Sequence, residues 1–270
     1  MRHSFCFYAA VALGLLTGIA VADKDKDKDK DKNKNKGTVW ATPHDSYSSS
    51  VGVLGCKIDT NRVAYWPQSV DCDNICVALR YEDREVKLLR IDQSEGAYDV
   101  SYDAWNYLYT GHSAKDEPTA GGAVEMQFEN LDASECEDLI YTKGSKLAFS
   151  AANSMNFVAS CIDKNDSWVG NNYVMYNIID SICTMGFDEQ CELDYPALNQ
   201  PTCPHTLGDQ SRLTSQPVYN IMYPSGEEVK ATSGLPPAAG DEDDEDAAAR
   251  LMEPGMLVAA MLMVFMVEFI

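Results

Sequence analysis

The chain has 270 residues, 42 acidic against 21 basic, with a formal net charge of −21 and a hydrophobic share of 45%. That apolar share excludes a globally disordered chain, and the charge excludes binding to a nucleic-acid backbone, whose phosphates would be repelled. The length admits one large domain or two small ones.

In chain order, residues 1–22 have the form of a secretory signal peptide. Arg2 is positive, Phe5 to Val21 is largely apolar, and Ala20-Val21-Ala22 offers small residues for cleavage. From Asp23 to Lys36 the chain alternates Asp-Lys and then Asn-Lys, with seven Lys and five Asp and no apolar residue. Such a segment cannot bury surface, so 23–50 is expected to be a disordered charged linker. At the other end, small residues Ala238-Ala239-Gly240 precede the acidic run Asp241 to Asp246 and the apolar stretch Gly255 to Ile270, interrupted by Glu268. Small residues, polar spacer and apolar tail are the parts of a GPI-anchor signal. A spanning helix would need about 20 apolar residues and basic residues on its cytoplasmic side.

These segments divide the charge. Residues 23–36 contribute +2, residues 241–270 contribute −7, and the body 37–240 carries 12 basic and 29 acidic residues, or −17. The expected partners of the body are neutral polymers or basic surfaces. The membrane is expected to enter only through the C-terminal lipid anchor.

Cys6 belongs to the signal. The remaining eight cysteines, Cys56, Cys72, Cys76, Cys136, Cys161, Cys183, Cys191 and Cys203, form an even set, which in a secreted chain predicts up to four disulfides. Their positions suggest two bridges in each half. Each half allows three pairings, with Cys56–Cys136 and a local Cys72–Cys76 favoured in the first. Zinc is not expected, because Cys72-x3-Cys76 lacks a following ligand pair. His44, His112 and His205 are far apart in sequence and are expected at the surface. Asn165-Asp166-Ser167 is a glycosylation sequon, which would place Asn165 on an exposed loop.

The body is expected to be mainly β. Cys76 to Tyr81 and Val86 to Ile91 are apolar runs separated by a charged turn, and Val124, Met126 and Phe128 alternate with Glu125, Gln127 and Glu129 as a half-buried strand. Between them a short helix is predicted. Ser101 would cap it, Asp103 would lie in its first turn, Ala104, Trp105 and Leu108 would share one face, and Gly111 would stop it. Residues 141–230 carry a strand signal at Val174, Tyr176 and Ile178 and an apolar segment at Val218 to Tyr223. They are expected to form a cysteine-containing extension packed on the first half, followed by a linker and acidic run over 231–254.

The order Asn61 to Trp66, Cys76-Val77-Ala78-Leu79, Leu88-Leu89-Arg90-Ile91-Asp92, then Gly96 and Asp99-Val100-Ser101 opening the helix, resembles the double-psi β-barrel of barwin-like and expansin-like secreted proteins over about residues 52–140. The resemblance implies a double-psi barrel at 51–140, and the disulfide-linked C-terminal extension at 141–230 lies outside it and is expected to be held by its own cysteines. The resemblance also implies that Asp99 occupies the position of a catalytic acid in glycan-cleaving relatives. Inverting hydrolysis needs a second carboxylate about 6.5–9.5 Å away. Barrel endoglucanases carry one just after an aromatic pair, but here Tyr65-Trp66 is followed by Pro67. Asp59, Asp92 and Asp103 are the possible substitutes, and each has a structural explanation. Asp99 itself has one too, as a carboxylate bonding backbone amides where the helix begins.

Rings near the expected groove are Tyr65, Trp66, Tyr98, Tyr102, Trp105, Tyr107 and Tyr109. Trp105 is expected in the core, and Trp66 and Tyr98 at the surface, where sugar C–H faces pack on aromatic rings. Tyr65, Trp66, Asp92, Tyr98 and Asp99 are therefore the expected substrate-binding set. The first functional expectation is association with cell-wall or matrix polysaccharide without hydrolysis, and with no cofactor. The alternatives are a glycan-cleaving enzyme of endoglucanase or lytic transglycosylase type using Asp99, and a protein-binding effector or inhibitor on a barrel scaffold.

Overall fold

A computed structural model describes residues 35–233. The signal at 1–22, most of the Asp-Lys repeat, the acidic run and the apolar tail lie outside the described residues.

Six strands close into a barrel: β1 (Lys36–His44), β2 (Val63–Trp66), β3 (Cys76–Tyr81), β4 (Arg84–Gln93), β5 (Tyr98–Ser101) and β6 (Val124–Leu131). Their order around the barrel is β1-β5-β2-β4-β3-β6, with β1 also paired to β6. The pairs β1/β5 and β2/β4 are parallel and the other four antiparallel. This closed barrel is compatible with the resemblance, and closure leaves no free sheet edge.

The barrel begins earlier than expected. Strand β1 lies wholly inside the stretch 23–50 assigned to the linker, and it fills the gap between β5 and β6. Val39 and Ala41 point into the core while Trp40 between them is 60% exposed. That short alternation is obscured in the sequence by the charge repeat running directly into it.

The barrel wall buries two surfaces. Val39, Ala64, Trp66, Leu79, Leu88 and Met126 are among the residues filling the interior. Val63, Tyr65, Leu89 and Ile91 face outward into a second core with Phe149, Val158 and Met175 of the extension. Strand β2 is thus buried along its whole length, and period-2 patterning vanishes from it. Helix α1 (Tyr102–Thr110) plugs one end of the barrel with Ala104, Trp105 and Leu108, and the Trp105 indole N–H donates to the Ala41 carbonyl at 3.1 Å.

Gly111 ends α1 at φ 89°, where a side chain would be strained. The expected cap differs. The Ser101 hydroxyl donates to the Thr60 carbonyl at 2.8 Å and accepts from the Val63 amide at 3.0 Å, so it ties the helix start to β2 instead of capping α1.

The extension contains a three-stranded sheet in the order β7 (Leu147–Ser150), β8 (Tyr173–Ile178) and β9 (Gly186–Cys191). It also contains helices α2 (Met155–Asp163) and α3 (Trp168–Asn171) and the hairpin β10 (Tyr219–Ile221) and β11 (Glu228–Lys230).

The four disulfides are Cys56–Cys183, Cys72–Cys161, Cys76–Cys136 and Cys191–Cys203. Neither Cys56–Cys136 nor Cys72–Cys76 forms, and the division into two bridges per half is corrected as well. Cys76 is drawn into strand β3, where it meets Cys136 of the 3-10 turn Ala133–Leu139, while Cys72 lies in the preceding loop and faces α2. Two bridges therefore sew barrel to extension. Four disulfides fit an extracellular protein. Among the described residues no helix is long and apolar enough to cross a membrane.

Candidate functional site

The residues expected to bind substrate do not form an open platform. Tyr65 and Trp66 are 3% and 2% exposed, Asp92 is 7% exposed, and only Tyr98 and Asp99 are half-buried. The surface placement of Trp66 is corrected. Its ring is packed edge-on against Tyr98 at 5.3 Å and Phe128 at 5.2 Å, inside the barrel.

Each carboxylate considered as a partner for Asp99 holds backbone or a neighbouring cation. Asp92 accepts from the Ser50 amide at 2.7 Å, the Gln93 amide at 2.8 Å and the Ser48 hydroxyl at 2.5 Å. Asp103 pairs with Arg62 at 2.9 Å and accepts from the Ser113 hydroxyl and the Ala114 amide. Asp59 accepts from the Asn61 amide at 3.0 Å. Asp99 lies opposite Thr42 across β1/β5 and accepts its hydroxyl, in place of the expected bonds to backbone at the helix start.

Next to this region is a cavity of about 10 Å³, lined in part by His44, Tyr47, Tyr65, Ser101 and Asp103. It holds about one water and no sugar ring. Burial pushes the phenols of Tyr47 and Tyr65 well above their ordinary value, so neither is an available proton acceptor.

A larger groove, of about 440 Å³, lies at the opposite end of the barrel from α1. Its volume is in the range that holds small ligands. Its lining comes from Asp73 and Asn74 before β3, from Leu131 at the end of β6 with Asp132, Ala133 and Ser134 after it, and from Asp166, Trp168, Asn171 and Asn172 of the extension, which form one wall. Trp168 is half-buried, Leu131 and Ala133 add apolar surface, and the other seven lining residues are polar.

The wall is fixed by short local bonds. The Cys72–Cys161 disulfide brings α2 to the loop before β3, the Val169 amide donates to the Cys72 carbonyl at 2.9 Å, and the Trp168 amide donates to Asp73 at 2.8 Å. Lys164 pairs with Asp73 at 2.7 Å. In the same loop Asp71 lies below its ordinary value. Burial opposes this, but the Asn74 and Asp73 amides and the Lys164 charge outweigh it.

Asn171 and Asn172 donate their amide N–H groups to the Ser167 and Trp168 carbonyls, which leaves their side-chain carbonyls as acceptors. With Asp132 and Asp166 the lining is rich in acceptors, and this suits a ligand rich in hydroxyl donors. Among the described residues no cluster of three His, Cys, Asp or Glu is placed to hold a metal ion.

The groove is not legible in the sequence because its residues come from three distant segments. The only local signal was the clustering of Asp, Asn and Ser at 71–74, 130–134 and 165–172. Asn165 of the sequon is exposed on the turn leading into Asp166, at the rim, while Ser167 is buried and donates to the Cys161 carbonyl at 2.5 Å.

The mouth of the barrel at this same end holds Arg90. Its residue is 8% exposed, its Cζ lies 5.7 Å from the centroid of the Trp66 ring, and no hydrogen bond joins its Nε to the protein. A cation–π contact is worth about 0.5–2 kcal/mol, whereas burying an unpaired ion costs several kcal/mol. A comparison with known protein families, curated proteins and solved structures finds no match to the chain.

Proposed function

We propose that this is an extracellular protein of double-psi barrel type that associates with neutral cell-wall or matrix polysaccharide and does not cleave it. The observation that carries this reading is the groove of about 440 Å³, in which a half-buried Trp168 stands among acceptor groups. Sugars present both an apolar C–H face, which packs on an indole, and hydroxyl donors, which satisfy carboxylate and amide oxygens. Non-hydrolytic binding is supported by the structural employment of Asp59, Asp92 and Asp103, which leaves Asp99 without a partner carboxylate committed to catalysis. The GPI-type tail would hold the protein at the surface that carries the polymer, and a glycan on Asn165 would border the groove.

The test is retention of the mature protein on insoluble glucan, chitin and cellulose. Retention on one of them is expected, and it should fall by about tenfold in Trp168→Ala, consistent with a stacking contact of about 1.4 kcal/mol. Failure to bind any of these polymers would sink the reading.

A further inference from the structure

Four buried side-chain atoms among the described residues have no hydrogen-bond partner: Trp66 Nε1, Arg90 Nε, Asn130 Oδ1 and Asn177 Oδ1. The first three belong to one place. Trp66 follows Ala64 on the inward face of β2, and Arg90 continues the inward series Val86 and Leu88 on β4. Asn130 continues the inward series Met126 and Phe128 on β6, opposite inward-facing Val77 of β3. The strand directions put all three at the end of the barrel away from α1.

The guanidinium of Arg90 is also without an anion. Asp71 and Tyr98 are the groups whose charges act on it, but neither is hydrogen-bonded to it, and Asp71 is committed to the amides of its own loop and to Lys164. An unpaired buried cation is retained against a large desolvation cost, in a chain with twice as many acidic as basic residues. Side chains cover the mouth, since Trp66 and Arg90 are 2% and 8% exposed. Gln68 donates to the Tyr98 hydroxyl at 3.0 Å and Ser69 to Gln93 at 3.3 Å, and Gln68, Ser69 and Gln93 are all exposed.

We propose that this mouth is a binding site for a small monocarboxylate with an apolar face, of the uronic-acid type. The carboxylate accepts from Arg90 Nε and the Trp66 indole N–H after displacing the Gln68 side chain. A ligand hydroxyl donates to Asn130 Oδ1. The planar fork of the guanidinium matches a carboxylate, and the body charge of −17 disfavours a polyanion while leaving a single charge admissible. The site is separate from the polysaccharide groove and does not depend on it; the Asp71–Asn74 loop lies between them.

The experiment is a titration of the full mature protein with galacturonate and, in parallel, with galactose. It is followed by the indole N–H resonance of Trp66, which is assigned by its loss in Trp66→Phe. Galacturonate is expected to shift that resonance and raise the melting temperature, and galactose to do neither. Arg90→Met, which keeps the aliphatic stem, should weaken galacturonate binding by about 30-fold or more and raise the melting temperature of the free protein, because it removes an unpaired buried charge. An unmoved Trp66 resonance with galacturonate, an equal shift with galactose, or a lower melting temperature of free Arg90→Met would each overturn the proposal. In the last case the guanidinium is already satisfied by the protein and its bound water. Retention on insoluble polymers is read separately, so loss of the groove reading leaves this result intact.

Discussion

Cys72 and Cys161 are bonded across 89 residues of sequence, with their Cα atoms 5.4 Å apart, and this bridge sets one side of the polar groove against the other. On a chain-entropy account, closing so long a loop is among the more stabilising cross-links available. The double variant Cys72→Ala/Cys161→Ala should lose about 2–5 kcal/mol in denaturant unfolding. It should also lose polymer retention under conditions where it is still folded. Retention at the wild-type level would separate the groove from the binding activity.

Ser101 makes a second test of how the barrel is assembled. Its buried hydroxyl satisfies the Val63 amide and donates to the Thr60 carbonyl, so Ser101→Ala leaves a buried backbone donor unpaired. A loss of about 1–3 kcal/mol is expected in equilibrium unfolding. A capping role alone would instead produce a local loss of helix without opening β2, which hydrogen exchange at Val63 distinguishes.

Glu129 closes the seam between β1, β6 and β3. Lys36 pairs with one of its oxygens at 2.6 Å and Arg80 with the other at 2.9 Å. These two hydrogen-bonded cations hold its carboxyl below the ordinary value of 4.5. A lowered carboxyl favours the folded state above that ordinary value, and the contribution disappears as pH falls through the folded value. Melting temperature should therefore drop as pH is taken below about 4.5, with a shallower drop in Glu129→Gln. The pairs are solvent-exposed, so 1 M salt should shrink the difference between the two proteins.

Asp99 can be tested directly against hydrolysis. If the protein binds without cleaving, Asp99→Asn should keep full retention on polymer, and neither protein should release reducing ends. Release that is present in the wild type and absent in Asp99→Asn would restore the enzymatic alternative.

Strand β6 was legible because one of its faces is wet. Val124, Met126 and Phe128 alternate with Glu125 and Gln127, and the structure keeps that alternation. Helix α1 was legible for a similar reason, since its apolar stripe ends at a glycine with positive φ. Strand β2 was harder. With Val63 and Tyr65 buried outward and Ala64 and Trp66 inward, no solvent face marks which ring is exposed, and Trp66 was misplaced.

Strand β1 was lost to a neighbouring charge repeat. The groove was lost because Asp73, Asp132 and Trp168 meet only through tertiary contacts and disulfides whose pairing is not written locally.

The plug formed by α1 has a consequence for traffic through the barrel. With Trp105 and Leu108 sealing one end and Leu79, Leu88 and Met126 packing the interior, the barrel is a filled core and not a channel. At the proposed site a ligand would reach Arg90 from the end of the barrel that carries the Gln68–Tyr98 hydrogen bond, because α1 closes the other. A bulky group fixed to that rim would therefore slow arrival and departure together, changing residence time while leaving the equilibrium constant nearly untouched.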